Sequence, residues 1–552
     1  MSATSHALLL CDFRPICGAA EFNHQLATGP HLADFDGMSA MDDPQQPTVT
    51  CGTRVRSQHE SQQRAGRLAA AIKARGIQPG ERVALVMRND IEFLEVSLAV
   101  ASCGGNPVPV NWHWTGSEIC HLLGDSGARL VIAHTEFISS AEDAVSQLQN
   151  PVDIIEVAMP GELLAELGVS SELARPSGKY VTLEELLRET ETPLPHQEGA
   201  IVDSMGMVYT SGTTGLPKGV LRERMSPHQL LSIAGGTATR MGLKPGGQML
   251  VAGPMYHTSP NALAVLALRM GTNITIMPRF DAERFLQLIQ EHRIEQAKIV
   301  PTMLSRLLSL PAETQSQYDV SSLTHLIHSA APCPPEVKRR SIEWFGNALI
   351  EFYGCSEAGT ITWINAEEWT QRPGSVGRPV DGAEVRIVSS DGVVLPAGEV
   401  GEVYVKGADY WPKFSYINHE GSDPSPVPGF VTVGDHGYVD SEGFLYLTGR
   451  TSEVIISGGV NIYPAEVENA IMKLTTAEDV AVFGVPGGDL GEAVAAHVVA
   501  RPGTTLTGEG IRKAIATELA KYKIPTRLEI VDTLPREDSG KIFKSRLIAQ
   551  YL

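Results

Sequence analysis

Short apolar runs alternate with helical patterns through most of the chain, and this alternation narrows the possible folds more than any other feature. Val83–Met87 has the composition of a strand and lies between helical patterns at Ser57–Arg75 and Ile91–Ser102. Similar apolar runs follow at Gln248–Ala252 and Asn273–Met277, each with a helical stretch nearby. Strands that alternate with helices predict parallel sheets covered by helices, so we expect an α/β fold.

The pattern changes after residue 373, where glycine-containing turns separate short apolar runs such as Glu384–Val388 and Gly401–Lys406. This spacing is typical of antiparallel hairpins or a small barrel. Residues 453–552 then alternate strand and helix again. We therefore expect an N-terminal α/β domain over residues 1–450, with parallel sheets and a small β-barrel-like part. A small, mobile C-terminal α+β lid domain over residues 453–552 follows a hinge near 450–453, because 552 residues exceed one core.

Composition excludes several classes of partner. The formal net charge is −20 and no basic stripe is present, which argues against nucleic acid. No apolar run approaches the roughly 18 residues of a membrane span, so none is expected. The seven cysteines are scattered without the spacing of a zinc site, which favours reduced thiols in the cytoplasm. The sequence does not decide whether the protein is a monomer or a homodimer.

The segment Tyr209–Val220 concentrates glycines, hydroxyl groups and one lysine after a predicted strand, Ile201–Tyr209. Glycines allow backbone N–H groups to approach an anion closely, and Ser211 and Thr213 can donate further hydrogen bonds. Lys218 adds a compact positive charge. The segment is not a Walker P-loop, because Gly215 is followed by Leu-Pro-Lys. A polyphosphate is the group that this set of residues suits best.

This loop resembles the phosphate loop of the adenylate-forming enzymes, which include acyl-CoA synthetases, nonribosomal peptide adenylation domains and firefly luciferase. Further segments resemble that superfamily in its motif order, from about residue 55 to the end. They are His328–Cys333, Phe352–Glu357, Gly434-Asp435 and Leu534–Lys541. The form of Ser457–Pro464 looks most like the acyl-CoA synthetases.

The resemblance implies a role for each matching residue. Lys541 would be the catalytic lysine of adenylation, Ser356 would touch the α-phosphate, and Glu357 would hold Mg²⁺. The other residues implied to bind ATP or AMP are Thr210, Ser211, Gly212, Thr213, Thr214, Gly215, Lys218, Ala330, Ala331, Pro332, Tyr353, Gly354, Asp435 and Arg450. From the residues alone, Ser356-Glu357 also fits the start of a helix with an acidic first turn.

The resemblance also implies where the acid and the thiol bind. His257, Met303 and Phe352 would border the acyl group, although a buried core histidine is an alternative for His257. Ser457, Gly458 and Gly459 would line the pantetheine path. Ser452 departs from the family, which usually has Asp or Lys at that hinge position.

The expected function is that of an ATP-dependent carboxylate–CoA ligase. The acid would react with MgATP to give acyl-AMP and pyrophosphate, and CoA would then take the acyl group. No residue suited to an α-amino group precedes His257, which favours a fatty, aryl or ring-bearing acid over an amino acid. An amide synthetase that uses an amine acceptor, and a non-catalytic nucleotide-binding protein, are the alternatives.

Overall fold

A computed structural model describes residues 46–194, 207–210, 218–223, 225–417, 425–450, 453–457, 460–488, 491–536 and 540–552. Pro47–Leu552 form one compact unit. The predicted phosphate loop from Ser211 to Gly215 lies outside the described residues, as do Gly458, Gly459 and Ser452. None of the helices among these residues is long and apolar enough to cross a membrane.

The strands of the described residues are numbered in chain order. They are β1 Thr48–Cys51, β2 Arg54–Ser57, β3 Arg82–Val86, β4 Asn106–Pro109, β5 Leu130–His134, β6 Asp153–Val157, β7 Val208–Thr210, β8 Lys218–Arg222, β9 Gln248–Val251, β10 Asn273–Ile276, β11 Gln296–Ile299, β12 His325–His328, β13 Leu349–Cys355, β14 Gly359–Asn365, β15 Ser375–Pro379, β16 Glu384–Val388, β17 Gly401–Lys406, β18 Phe414–Tyr416, β19 Val431–Val439, β20 Leu445–Arg450, β21 Ile455–Ser457, β22 Val460–Ile462, β23 Ala477–Pro486, β24 Glu492–Ala500 and β25 Arg527–Val531.

The α-helices of the same residues are numbered in the same way. They are α1 Gln58–Ala74, α2 Ile91–Ser102, α3 Gly116–Ser126, α4 Ile138–Ser146, α5 Gly161–Leu167, α6 Leu183–Glu189, α7 Pro227–Arg240, α8 Thr258–Arg269, α9 Ala282–His292, α10 Pro301–Leu308, α11 Ala312–Gln317, α12 Pro335–Phe345, α13 Ala366–Gln371, α14 Pro464–Met472, α15 Gly508–Ile515 and α16 Lys544–Ile548.

The predicted α/β architecture is confirmed. Six strands pair in parallel in the order β1-β10-β9-β11-β12-β13, and β4-β3-β5-β6 form a second parallel sheet. Helix α2 is buried along its whole length, because most of Ile91–Ser102 is apolar and its buried Glu95 pairs with Arg64. Ser57 caps the preceding helix α1, because its side chain accepts a hydrogen bond from the Glu60 N–H.

The turn-rich region after residue 373 folds into antiparallel strands, as expected. β16, β17, β19, β20 and β15 pair antiparallel, and β15 then pairs with β14. The antiparallel strands thus continue the hydrogen-bonded order of the large parallel sheet. β15 and β14 separate β20 from β13, the last parallel strand, in this order, but the Tyr353 side chain of β13 still reaches Asp435 on β19.

Residues 455–552 have the predicted α+β composition. The hairpin β21-β22 precedes α14, and β23, β24 and β25 form a separate sheet. Helices α14 and α15 pack on that sheet through apolar residues such as Val467 and Ile511. A second cluster around Phe483 and Leu547 covers the other side with α16. This part of the chain therefore has its own core, as a separate domain would need.

Candidate active site

One large cavity of about 2400 Å³ collects most of the residues that the sequence singled out. They come from the carboxyl ends of the parallel strands, from the antiparallel strands and from the C-terminal segment. The predicted residues that line this cavity are His257, Ala330, Ala331, Pro332, Phe352, Tyr353, Gly354, Ser356, Glu357, Asp435, Arg450 and Lys541. Ligand sites at the carboxyl ends of parallel strands are usual in open α/β sheets.

Asp435 is held by two donors at the centre of this cavity. The Tyr353 hydroxyl donates to Asp435 Oδ2 at 2.7 Å, and Arg450 Nε donates to Oδ1 at 2.9 Å. Asp435 and Arg450 are direct partners in the β19-β20 ladder. Burial raises the pKa of Tyr353 well above its ordinary value, and the Asp435 charge raises it further. The phenol therefore keeps its proton and remains a donor at neutral pH.

The turn after β12 presents small side chains to the cavity. Ser329, Ala330, Ala331 and Pro332 all line it between β12 and α12. Ala330 has φ +77°, a left-handed conformation that costs a residue with a Cβ about 1–3 kcal/mol. Because strained backbone of this kind concentrates at ligand sites, the conformation supports a binding role for this turn.

Glu357 lies in a tight turn, and the alternative that Ser356 begins a helix is wrong. Antiparallel strands β13 and β14 flank the turn directly, so no helix starts there. A Cβ on Gly354 would overlap the carbonyl oxygen of Gly359, so the close approach of the two strands requires glycine. Glu357 Oε1 accepts a hydrogen bond of 3.0 Å from the Tyr416 hydroxyl. The carboxylate is thus oriented by a neighbouring strand.

Arg222 positions the same turn, and sequence reasoning missed it. Its Nη2 and Nε donate to the Ser356 carbonyl oxygen at 2.8 and 3.2 Å. Burial lowers the pKa of Arg222 to about 10, against the opposite effect of Glu357, so the guanidinium stays charged at neutral pH. The only signal in the sequence was an arginine in the apolar strand that follows Lys218.

The loop that carries Lys541 reaches the cavity from the C-terminal segment. A Cβ on Gly540 would overlap Thr302 Oγ1 in helix α10, so this loop touches the N-terminal part at a position that admits only glycine. Arg536 fixes the base of the loop, because its Nε lies 2.9 Å from Asp479 Oδ2 and its Nη1 donates to the Gly540 carbonyl. Lys541 is therefore held against the cavity rather than in solvent.

Another ion pair anchors the segment beside the predicted hinge. Lys544 Nζ lies 2.8 Å from Glu453 Oε2 and 3.1 Å from Glu468 Oε1. Burial opposes its charge, but the two carboxylates together raise the pKa of Lys544 above its ordinary value. Helix α16 is thereby tied to Glu453, three residues after Arg450, and to α14.

Residues predicted for the acyl group divide between the cavity and the core. Phe352 lines the cavity, and its ring stacks on Trp363 with the centroids 6.3 Å apart. His257 also lines it at the start of α8, with its ring 4.5 Å from that of Tyr256. The structure does not bring Met303 to the cavity, because that side chain is 3% exposed in the core between α9, α10 and α12.

The remaining predicted residues lie at the edges of the described chain. Thr210 and Lys218 are partners at the end of the β7-β8 hairpin, so the predicted phosphate loop connects these two antiparallel strands. Ser457 pairs with Val460 across the β21-β22 hairpin and does not line the cavity. The residues between them, Gly458 and Gly459, are the predicted pantetheine contacts that lie outside the described residues.

Two cysteines near the site are packing residues. Cys355 and Cys333 line the cavity. Burial raises the pKa of both thiols far above the ordinary value, so neither is a thiolate at neutral pH. Cys355 Sγ accepts a hydrogen bond from the Ala358 N–H at 3.3 Å. Within the described chain, no group of three or more His, Cys, Asp or Glu residues could hold a metal by itself.

An adenylate-forming enzyme is the class that this fold and this cavity define. The model of the AMP-binding enzyme family matches residues 38–411, and that of its C-terminal domain matches residues 466–541. The chain therefore belongs to the AMP-binding enzyme family, and the predicted resemblance to its acyl-CoA synthetases is confirmed.

Several characterised relatives match over almost their entire length. A fatty acid–[acyl-carrier-protein] ligase of Streptomyces coeruleorubidus is 29% identical, with 94% of this chain and 95% of the relative covered. A long-chain-fatty-acid–CoA ligase of Mycobacterium tuberculosis is 31% identical, with coverage of 88% and 91%. An ATP-bound structure of MatB from Rhodopseudomonas palustris has a TM-score of 0.76 and 28% identity, with coverage of 94% and 97%. These matches support an ATP-using ligase.

Proposed function

We propose that the protein is a carboxylate–CoA ligase that activates a fatty, aryl or ring-bearing acid through an acyl-adenylate. The observation that carries this proposal is the convergence of Lys541, Glu357 and the Tyr353–Asp435–Arg450 group on one cavity. These residues come from three distant parts of the chain, and each brings a group that ATP chemistry needs. The M. tuberculosis relative, which acts on long-chain fatty acids with CoA, supports the same reaction.

In this proposal Asp435 binds the ribose. Its two oxygens accept from Tyr353 and Arg450 and retain further acceptor capacity, and ribose hydroxyls are donors that a carboxylate accepts well. The adenine lies against Tyr353 and the turn at Ala330–Pro332, where small side chains leave room for a flat base. Thr210–Gly215 and Lys218 receive the β- and γ-phosphates.

Adenylation then proceeds by displacement at the α-phosphorus. A carboxylate oxygen of the acid forms a bond to phosphorus, the bond to the bridging oxygen breaks, and pyrophosphate leaves with both bonding electrons. Two anions meet in this step, so a cation that contacts both lowers the barrier. Lys541 supplies that cation, and the Ser356 hydroxyl touches the α-phosphate from the turn that Arg222 positions.

Glu357 is the residue that would hold Mg²⁺. Mg²⁺ in proteins is usually bound by one or two carboxylates together with substrate phosphates and water, and a single oriented carboxylate fits that requirement. When bound, the ion neutralises charge on the leaving pyrophosphate. The hydrogen bond from Tyr416 keeps one oxygen of Glu357 fixed and leaves the other for the ion.

The second half of the reaction requires the C-terminal part to move. We propose domains 1–450 and 453–552 that rotate about residues 450–453, which withdraws Lys541 and brings Ser457, Gly458 and Gly459 to the acyl-adenylate. The CoA thiol releases its proton to solvent and its sulfur bonds to the acyl carbon, the bond from that carbon to the AMP oxygen breaks, and AMP leaves with both bonding electrons. Lid rotations of this kind commonly complete a site in successive arrangements.

A broad acid panel tests the proposed function. Purified protein with MgATP should release pyrophosphate only when a suitable acid is present, and the mass of the product after CoA addition should be that of a thioester. Replacement of CoA by an amine or by a carrier protein tests the other acceptors. Absence of acid-dependent pyrophosphate release with every acid would contradict the proposal.

Location and assembly are further proposals. We place the protein in the cytoplasm, because Cys51, Cys103, Cys120, Cys333 and Cys355 are all free thiols. The proposed oligomeric state is a homodimer. Light scattering at the protein concentration used for the assay would measure the mass of the assembly and test this proposal.

Replacement of Glu357 by glutamine should raise the Mg²⁺ concentration needed for half-maximal pyrophosphate release by about tenfold or more, which corresponds to about 1.4 kcal/mol. The amide keeps the shape and can still accept from Tyr416, but it is a weaker ligand for a hard cation. The measurement is a Mg²⁺ titration at saturating ATP. Glu367→Gln, an exposed residue in the first turn of α13, is the matched control. An unchanged titration in Glu357→Gln would remove this residue from the metal role.

A further inference from the structure

Lys298 is a buried cation inside the apolar end of the cavity. It lies on β11, where its direct partners are Val251 on β9 and Ile327 on β12. Ile327 is in turn paired with Ile350 on β13. Residues paired across neighbouring strands point to the same face, so Lys298 shares its face with three aliphatic side chains.

On the opposite face of the same strands, the buried lysine has a carboxylate partner. There His328 on β12 pairs with Glu351 on β13, and Glu351 accepts a hydrogen bond from Lys338 of α12. His328 Nδ1 lies 3.9 Å from Glu351 Oε1. Lys338 is thus neutralised by a carboxylate, whereas Glu351 and Lys298 are kept apart by the sheet itself.

Among the described residues, no carboxylate lies beside Lys298. Its Nζ instead faces the Phe352 ring, whose centroid is 5.5 Å away. Burial alone lowers the pKa of Lys298 to about 8, so most molecules still carry the ammonium at neutral pH. A buried cation that lacks an ionic partner is costly, and one that lines a cavity is a candidate for binding an anionic ligand.

The surroundings of Lys298 belong to the predicted acyl region. Lys298 lines the cavity together with His257 and Phe352. Met241, directly after α7, and Leu263 and Leu266 of α8 line the same cavity and add apolar walls. The Lys298 ammonium is thus a polar group among apolar walls along which a ligand could lie. A few well-placed polar groups in an apolar pocket generally decide specificity.

We propose that Lys298 receives a second carboxylate at the far end of the acid, so that the preferred substrates are dicarboxylic acids. This inference rests on the proposed function, because it assigns the other end of the same substrate. The carboxylate that reacts lies near His257 and Lys541, and the distal one forms an ion pair with Lys298. The step is a binding step, and no bond of the substrate changes at Lys298.

Matched pairs of acids test this assignment. Adipate to dodecanedioate are compared with the alkanoates of the same length, and 4-carboxycinnamate is compared with cinnamate, by acid-dependent pyrophosphate release. Wild-type protein should prefer the dicarboxylic member of at least one pair by about 100-fold in kcat/KM, since a site built for a polar group strongly rejects the analogue without it. The ω-hydroxy acids of the same length show whether a neutral acceptor suffices.

The variant Lys298→Met removes the charge and keeps an unbranched side chain of similar length. It should lose the preference for the dicarboxylic acid and gain activity with the monocarboxylic partner, which a merely structural lysine would not cause. Its melting temperature should equal or exceed that of wild type, because an unpaired buried charge is removed.

Each outcome separates the inference from the proposed function. If monocarboxylic acids release pyrophosphate and dicarboxylic acids do so no faster, the assignment of Lys298 is overturned and the ligase function stands. The assignment of Lys298 is also overturned, and the ligase function again stands, if ω-hydroxy acids react as well as dicarboxylic acids or if Lys298→Met keeps the wild-type preference. If no acid of either series releases pyrophosphate, the proposed function itself fails.

Discussion

Replacement of Lys541 by alanine should lower the rate of acid-dependent pyrophosphate release by about 100- to 1000-fold, the usual loss when one preorganised electrostatic contact is removed. The physical reason is the meeting of two anions at the α-phosphorus, which the lysine offsets. Gly540 packs against Thr302 and Arg536 is fixed by Asp479, so the loop presents Lys541 to the cavity in this arrangement. The measurement is single-turnover formation of acyl-AMP from ATP and acid.

The same variant should convert supplied acyl-AMP and CoA into thioester at a rate close to that of wild type. In the proposed rotation about residues 450–453, Lys541 has left the acyl centre before the thiol attacks. Lys521→Ala is the matched control, because it removes an exposed lysine from the same C-terminal segment. Equal losses in both half-reactions would contradict a mechanism with two arrangements of the lid.

Much of the fold could be predicted because its local signals agree with its tertiary structure. The sequence predicts helix α2 with its observed limits, Ile91–Ser102, since the segment is longer than a typical strand and has helical spacing. The sequence predicts the strands around β3, β9 and β10 to within a residue or two, because each is a short apolar run near turn residues. The pairing order was not predictable, since it depends on contacts between residues far apart in sequence.

Site residues that belong to a recognisable motif could be predicted from the sequence. Single side chains that reach the site from segments without a motif could not. Asp435, Tyr353 and Lys541 each belong to a recognisable segment, and all three line the cavity. Arg222 and Lys298 lie in short strands outside every recognised motif position, where the sequence gives no signal for their roles. Only the fold shows that both side chains line the cavity, with Lys298 buried and Arg222 half-buried.

The two misplaced expectations have simple physical causes. Ser356-Glu357 has the composition of a helix start, but Gly354 and Gly359 permit a tight antiparallel turn in its place. Met303 follows Val300-Pro301 as the family pattern expects, but it lies in the first turn of α10 and points into the core beside α9 and α12. The rotation of helix α10 about its axis decides which of its side chains face the cavity, and a sequence motif does not specify that rotation.

Replacement of Asp435 by asparagine should raise the KM for ATP by about 10- to 150-fold and leave the KM for the acid near its wild-type value. The carboxylate presents two acceptor oxygens, whereas the amide nitrogen cannot accept a ribose hydroxyl. Loss of one hydrogen bond to a charged group costs about 1.5–3 kcal/mol, which corresponds to that range. Initial rates of pyrophosphate release with ATP and acid varied in turn measure both constants.

A purely structural role for Asp435 predicts a different result. The Tyr353 hydroxyl can still donate to the asparagine oxygen, and the partly exposed Arg450 can regain water, so the melting temperature should fall only slightly. Asp391→Asn, an exposed residue in the turn after β16, is the matched control. If the ATP constant is unchanged while the melting temperature drops sharply, the Tyr353–Asp435–Arg450 group holds β13, β19 and β20 together and does not bind the ribose. A selective loss of ATP affinity in a stable protein instead supports Asp435 as the acceptor for the nucleotide.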